Sequence, residues 1–320
     1  MPLVHVLIPA LNCGSYVADA VNSIVGQTFR DFVVTVIDDG STDGTGRVLA
    51  SIHDSRLRVV TNERTLGLPS SLNAHFDDVD CEYIARMDAD DVAYPARFEA
   101  QLSFLREHTD IDILGTSAFR LSHGGRKKRP FSTYAFAEHH DEIKGNLLFG
   151  SPMLHPSVML RRRSLRDLCP IYRPIAVPAA DYDAWLTLAM RGLKFANLAA
   201  PLMDYRVHDS QISAARASAQ KLVGDALRIR ALRQVVPEIS QPHWEAHDAI
   251  RTNDWRRLNI SDTLSWFRFL LNSNRTSRWT SHSALSAILE RRLRTAIEKS
   301  TMFPRLARLR FARRAAAIFR

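Results

Sequence analysis

Residues 33–45 read VVTVIDDGSTDGT. The first five are all β-branched, the side chains that favour a pleated, buried strand. Ser41, Thr42 and Asp43 are each competent helix N-caps, so a helix is expected to begin there. Between strand and helix stand two aspartates and a glycine. The unit repeats on either side. VHVLI (4–8), RLRVV (56–60), EYIAR (82–86) and IDILG (111–115) read as strands, and residues 15–26, 43–53, 68–77 and 95–107 as amphipathic helices. Strands that alternate with helices imply an α/β fold with a sheet covered on both faces.

The polar clusters fall at comparable places. PALN (9–12) follows the first strand, DDGSTD (38–43) the second and DADD (88–91) the fourth. If these strands are parallel, all three clusters lie at their carboxyl ends, the edge where open parallel sheets bind ligands. Two carboxylates about 4–5 Å apart repel by roughly 3–4 kcal/mol at an effective dielectric near 20. Asp88, Asp90 and Asp91 therefore need water, an arginine or a cation. Arg86 reads either as their partner or as a strand-end residue. Asp91 reads as a cap for the helix that starts near Pro95.

The 320 residues allow one large domain plus an extension, and an apolar fraction of 46% supplies a core. No apolar run approaches the roughly 18–20 residues of a membrane span. The N-terminus enters a strand without a basic start or small-residue cleavage site, so no signal peptide is expected. Three widely spaced cysteines with no CxxC argue for a reducing, cytoplasmic setting and against thiolate zinc. The net charge of +9 is uneven: residues 221–320 hold 20 Lys+Arg against 8 Asp+Glu, and no acid follows Glu298. This pattern suggests a catalytic body with an anionic partner at its end.

Residues 121–180 are irregular, with a basic loop at 122–130. A helix is expected over 181–192, two short strands and a polar loop over 195–213, and mainly helix over 215–300. Met302, Leu306, Leu309, Ala312, Ala316 and Phe319 recur at helical spacing among arginines. Such a helix suits the anionic inner face of a membrane, and its rival is an ordinary basic face packed on the domain or on a second subunit. Nucleic acid is disfavoured, because the charge is not interleaved with a recognition fold.

The segments VLIPALN, VVTVIDDGSTDGT, YIARMDADD, YPARF, HPSVMLRR, DYDAWLTLAMRG and YRVHDSQIS occur in an order and spacing that resemble family 2 glycosyltransferases, over residues 2–213. The resemblance implies a GT-A fold: a Rossmann-like mixed sheet flanked by helices (1–213), here followed by a basic, mainly helical C-terminal region (214–320). It also implies inversion at the anomeric carbon and a nucleotide-sugar donor, UDP-linked by expectation. The acceptor it implies is a glycan or lipid-linked hydroxyl in bacterial surface-polysaccharide synthesis.

By that resemblance Asp90 contacts a Mn²⁺ or Mg²⁺ ion, and Asp88 the ribose or metal-bound water. Asp39 would accept a hydrogen bond from the base, Asp38 would serve the ribose or its loop, and Pro9, Ala10 and Leu11 would form the wall beside the base. Arg206 and His208 lie on a loop that would close over the diphosphate and metal. Asp181 is the expected general base, with Asp183 behind it; the family usually has Glu-Asp where this chain has Ala180-Asp181. His155 and Arg161 to Arg163 flank the acceptor region. Two rival readings are a sugar nucleotidyltransferase, which would need a glycine-rich basic loop after the first strand, and a non-catalytic nucleotide-sugar-binding descendant. The PALNCGSY stretch has one glycine and no lysine or arginine, which counts against the first rival.

Overall fold

The structure, a computed structural model, describes residues 1–78, 80–122, 127–130, 136–208, 217–254, 257 and 259–299. The chain divides into two compact units, Met1–His140 with Ser151–Gly224 and Asp141–Gly150 with Asp225–Arg320.

The first unit is built on one mixed sheet. Its strands are β1 (Val4–Ala10), β2 (Phe32–Asp38), β3 (Leu57–Thr61), β4 (Tyr83–Arg86), β5 (Val92–Ala93), β6 (Ile113–Ser122), β7 (Lys127–Pro130), β8 (Met159–Arg161) and β9 (Phe195–Val207). The order is β3-β2-β1-β4-β8-β6-β9-β5, with β7 beside β6. The first four strands pair in parallel, as the alternation implies. Helices α1 (Val17–Val25), α2 (Thr45–Ala50), α3 (Leu68–Ala74) and α4 (Arg97–Glu107) connect them. Val4, Val6, Ile8, Val34, Val36 and Ala85 pack with Val17, Val21 and Ile24 of α1 and Phe98, Leu102 and Leu105 of α4 in one buried cluster. Burying each such side chain stabilises by roughly 1.5–3 kcal/mol, which is why the apolar runs become strands between helices.

Register fixes where the loops emerge. Ala10 lies opposite Asp38, and Leu7 opposite Arg86. The loops after β1, β2 and β4 therefore leave the same sheet edge side by side. Residues 195–207 form one long strand, not the two short ones expected. Its pairing with β6 shifts register between Thr116 and Phe119, near Pro201, so the irregularity is absorbed as a bulge. The basic loop is in part a strand, β7, which pairs with β6. The helix α6 spans Ala180–Met190, and α5 spans His140–Asn146.

The second unit is helical, as expected for residues 215–300. After α7 (Ala217–Leu232) come α8 (Gln241–Thr252), α9 (Ile260–Ser277) and α10 (His282–Lys299). Segment 141–150 belongs to this unit through specific contacts. His247 bonds the Leu148 carbonyl at 2.9 Å, Trp279 Nε1 donates to the Lys144 carbonyl at 2.8 Å, and Arg292 stands 4.0 Å over the Phe149 ring. No helix among the described residues is long and apolar enough to cross a membrane. The amphipathic stretch 302–320 lies outside the described residues.

Candidate active site

Loops 11–14 and 38–45 are sewn together at the sheet edge. Asn12 takes a left-handed backbone, accepts the Thr42 N–H at 2.9 Å, and its own N–H donates to Ser41. The N–H groups of Cys13 and Gly14 donate to Thr45 and Asp43. With these donors engaged and the Asp43 carboxylate beside them, the loop offers no anion nest for a triphosphate. Gly40 turns the chain at φ +77°, and an added Cβ would meet the Arg64 and Thr65 backbone at 3.0 Å. Ala10 is buried, Pro9 half-buried, and Leu11 is 42% exposed, so of the expected wall Leu11 presents the most open side chain.

Asp38 bonds the Ser41 N–H at 3.0 Å. Asp39 gathers four donors: Leu66 N–H at 2.9 Å, Gly67 N–H at 2.8 Å, Asn62 Nδ2 at 2.8 Å and Ser71 Oγ at 2.9 Å. Burial alone would raise its pKa, but these hydrogen bonds outweigh burial and hold the carboxyl below its usual value. Asp39 thus anchors the 62–71 segment, a role no local sequence signal announced. Asp39→Ala is expected to destabilise the fold by about 3 kcal/mol in urea denaturation, because several buried donors lose a charged acceptor. The Asp39 contribution is fully present above the ordinary aspartate pKa. It is lost as pH falls through the lower folded value, so the gap between wild type and variant should narrow in strong acid.

The DADD loop leaves β4 and is pinned at once by β5, whose Val92 pairs with Asp204 of β9. That pairing delivers residues 205–208 onto the loop. The Arg206 N–H donates to Asp91 Oδ1 at 2.8 Å and its Nε to the Asp90 carbonyl at 2.7 Å. His208 Nε2 lies 2.9 Å from Asp90 Oδ2. Asp19 at 3.3 Å and the Tyr16 ring at 4.7 Å hold the Arg206 guanidinium from α1. Expected residues from positions 88, 90, 206 and 208 therefore meet in one place. Asp91 does not cap α4: Ala96 is the N-cap, without a side-chain bond, and Asp91 is fully buried in the cluster.

Carboxylate oxygens of Asp88, Asp90 and Asp91 all lie within 4.8 Å of one another. Each pair at that distance repels by about 3 kcal/mol at a dielectric near 20. Arg86, 3% exposed, pairs with Asp88. Even so, burial and the neighbouring acids push the carboxyls of Asp88 and Asp91 upward, the latter far, despite the pull of Arg86. The carboxylate oxygens of Asp88, Asp90 and Asp91 are hard donors of the kind that suits Mg²⁺ or Mn²⁺, and His208 bonds Asp90 beside them. The residues present fit a divalent cation.

Asp181 is the second residue of α6, and the N-cap is Ala179. Burial raises its pKa, against hydrogen bonds from the Tyr182 N–H and Ser151 and the pull of Arg86. It is thereby a stronger base than an ordinary aspartate. Asp183, the other candidate, is fully buried and held by both Nε and Nη2 of Arg173, so it is corrected to an ion-pair residue. His155 is buried against the Tyr172 hydroxyl at 2.9 Å, and burial pushes its pKa far down, so it is a neutral ring. Arg161 is buried and bonds the Ile111 and Leu105 carbonyls and the Tyr83 hydroxyl. Arg162 pairs with Asp77 and Asp80, and Arg163 bonds the Thr109 carbonyl.

Comparison with known proteins bears on the family and the fold. The family model described as glycosyl transferase family 2 matches residues 5–169. An uncharacterised glycosyltransferase of Haemophilus influenzae is 30% identical over 219 residues, 66% of this chain and 68% of its own. The Escherichia coli enzyme WfaP, a UDP-Glc:α-D-GlcNAc-diphosphoundecaprenol β-1,3-glucosyltransferase, is 26% identical over 67% of this chain and 81% of its own. Among solved structures, S. aureus TarS 1–349 in complex with UDP-GlcNAc superposes with TM-score 0.60 at 17% identity, over 98% of this chain and 90% of its own. The mannosyltransferase PcManGT of Pyrobaculum calidifontis, in complex with GDP-Man and Mn²⁺, gives 0.56 at 16% identity over 99% and 86%. These two likenesses establish the fold.

Proposed function

Because the chain belongs to glycosyl transferase family 2 and is a glycosyltransferase, we propose that it moves a sugar from a nucleotide diphosphate donor to an acceptor hydroxyl with inversion. The observation that carries this reading is the cluster of Asp88, Asp90 and Asp91, with His208 against Asp90, at the sheet edge that also bears Asp38 and Asp39. Held by Asp88, Asp90 and His208, a Mn²⁺ or Mg²⁺ ion would neutralise charge that builds on the leaving diphosphate. The Mn²⁺ and GDP-Man of PcManGT and the UDP-GlcNAc of TarS support this assignment by analogy of fold.

The remaining chemistry belongs to side chains. The acceptor oxygen attacks the anomeric carbon while the bond from that carbon to the diphosphate oxygen breaks, its electron pair leaving with the nucleotide. Asp181 takes the hydroxyl proton as the new bond forms and returns it to solvent afterwards. Arg206 braces the loop that carries Asp90 and Asp91. Leu11 and the Asp38–Asp39 turn face the nucleoside. The donor is a UDP-sugar, and the acceptor a glycan or lipid-linked hydroxyl, as in WfaP.

The test is product formation from a panel of nucleotide sugars with Mn²⁺ or with EDTA. Metal-dependent transfer or donor hydrolysis supports the reading, and turnover unaffected by chelation opposes it. A pH profile tests the base. Asp181 works deprotonated, and burial raises its pKa above the ordinary 3.8. The acid limb of kcat/KM should therefore lie above that value, with rate lost as pH falls through it, and should vanish from the residual rate of Asp181→Asn.

A further inference from the structure

Arg86 has a fixed backbone and an under-used side chain. Its N–H donates to the Val158 carbonyl at 3.0 Å, and its carbonyl accepts from Arg97 Nη2 at 2.8 Å. The strand thus aims the guanidinium with little freedom. One arm, Nη2, holds Asp88. The other two nitrogens, Nε and Nη1, are buried and have no hydrogen-bond partner among the described residues. Dry guanidinium donors left unpaired are costly, so their retention calls for a reason.

The acids explain it. Asp91 is sealed from water, its Oδ2 also without a partner, and Asp88 and Asp90 are beside it. Water reaches Asp88 and Asp90 in part but not Asp91, so part of the counter-charge has to be built into the protein. Arg86 and Arg97 supply part of it. Arg97, fully buried, acts on Asp91 from behind the sheet edge, with its remaining bond to Gln101. Arg86 is paired with Asp88, and its charge lowers the pKa of Asp88, Asp91 and Asp181 against the rise that burial imposes on each. Of these two arginines, Arg86 touches a carboxylate that the metal reading also uses.

We propose that Arg86 is a resident counter-ion: it keeps the Asp88–Asp90–Asp91 cluster folded when no cation is bound, and it competes with the divalent cation for Asp88. This rests on the metal reading above for its second half only. Arg86 is a positioning residue in this role, acting through Asp88. A cation that enters the cluster must loosen one ion pair, which holds its affinity below what three unopposed carboxylates would give.

The experiment uses the full-length chain as wild type, Arg86→Lys, Arg86→Met and the double variant Arg86→Met with Asp88→Asn. Melting is recorded in EDTA, and MnCl₂ binding by calorimetry. In EDTA, Arg86→Met should melt about 5–10 °C lower than wild type. Removing the stranded carboxylate with Asp88→Asn should recover at least half of that loss, and Arg86→Lys should stay near wild type. Mn²⁺ should bind Arg86→Met about tenfold tighter than wild type, since an opposing charge is gone. A purely structural arginine would lower melting without tightening Mn²⁺ binding. The proposal is overturned if Arg86→Met melts with wild type, if Asp88→Asn recovers nothing, or if Mn²⁺ binds the Met variant no tighter. Should the Met variant be unfolded in EDTA and in Mn²⁺ alike, the double variant decides: folded supports the counter-ion, unfolded overturns it. A wild type that takes up no Mn²⁺ contradicts the metal reading instead, and the EDTA melts still judge the counter-ion.

Discussion

Asp181→Asn should cut turnover by about 10²–10⁴-fold, the usual contribution of a positioned general base, while UDP and Mn²⁺ bind as in wild type. The two effects separate because Asp181 sits on α6, and the residues proposed to face the nucleotide lie on the loops after β1, β2 and β4. Asparagine keeps the shape and can still accept the Tyr182 N–H, so stability should change little. Single-turnover measurement with excess enzyme isolates the chemical step from release. A variant with near-wild-type turnover would remove Asp181 from the reaction. Arg173→Met provides the contrast: it strands the buried Asp183 and should lower stability more than it lowers turnover of the folded fraction.

The second large effect is expected at Asp90. Its side chain meets His208, and its carbonyl meets Arg206. Asp90→Ala removes the carboxylate and leaves the backbone bond to Arg206 in place. Activity should fall by about 10³-fold or more, and Mn²⁺ binding should be lost, because the proposed site keeps only Asp88 and His208. Excess Mn²⁺ should not restore the rate. His208→Ala should be milder, with activity partly recovered at high Mn²⁺, since one neutral ligand is lost and the carboxylates remain. Equal Mn²⁺ dependence in wild type and Asp90→Ala would place the ion elsewhere.

Much of this arrangement could be read from the chain before any coordinates. The strand-forming run at 4–8 and the β-branched run at 33–37 could be satisfied only between helices, and the capping residues at 41–43 marked the return. Parallel alternation then implied that residues after positions 10, 38 and 86 share an edge, and the register of Ala10 with Asp38 and Leu7 with Arg86 is that edge.

What was not legible has a common physical cause: it depends on partners far along the chain. Asp91 looks like a cap because Pro95 follows it, yet its acceptor is filled by the N–H of residue 206. Asp39 looks available, and its donors come from residues 62 to 71. Asp183 resembles a second base until Arg173 closes on it. Asp19 and Tyr16 gave no signal, since nothing in α1 says that a guanidinium from β9 will rest on them. The 195–213 stretch reads as two short strands and a loop, whereas β9 runs unbroken to Val207 and its pairing with β6 takes up a shift of register.

The most direct test of the metal-bridged donor site is calorimetric titration of UDP into the full-length protein, once with Mn²⁺ and once with EDTA. Binding with Mn²⁺ that weakens at least about 30-fold on chelation, and equally in Asp90→Ala, is the expected result. UDP bound with the same affinity in both buffers would contradict the account at its centre.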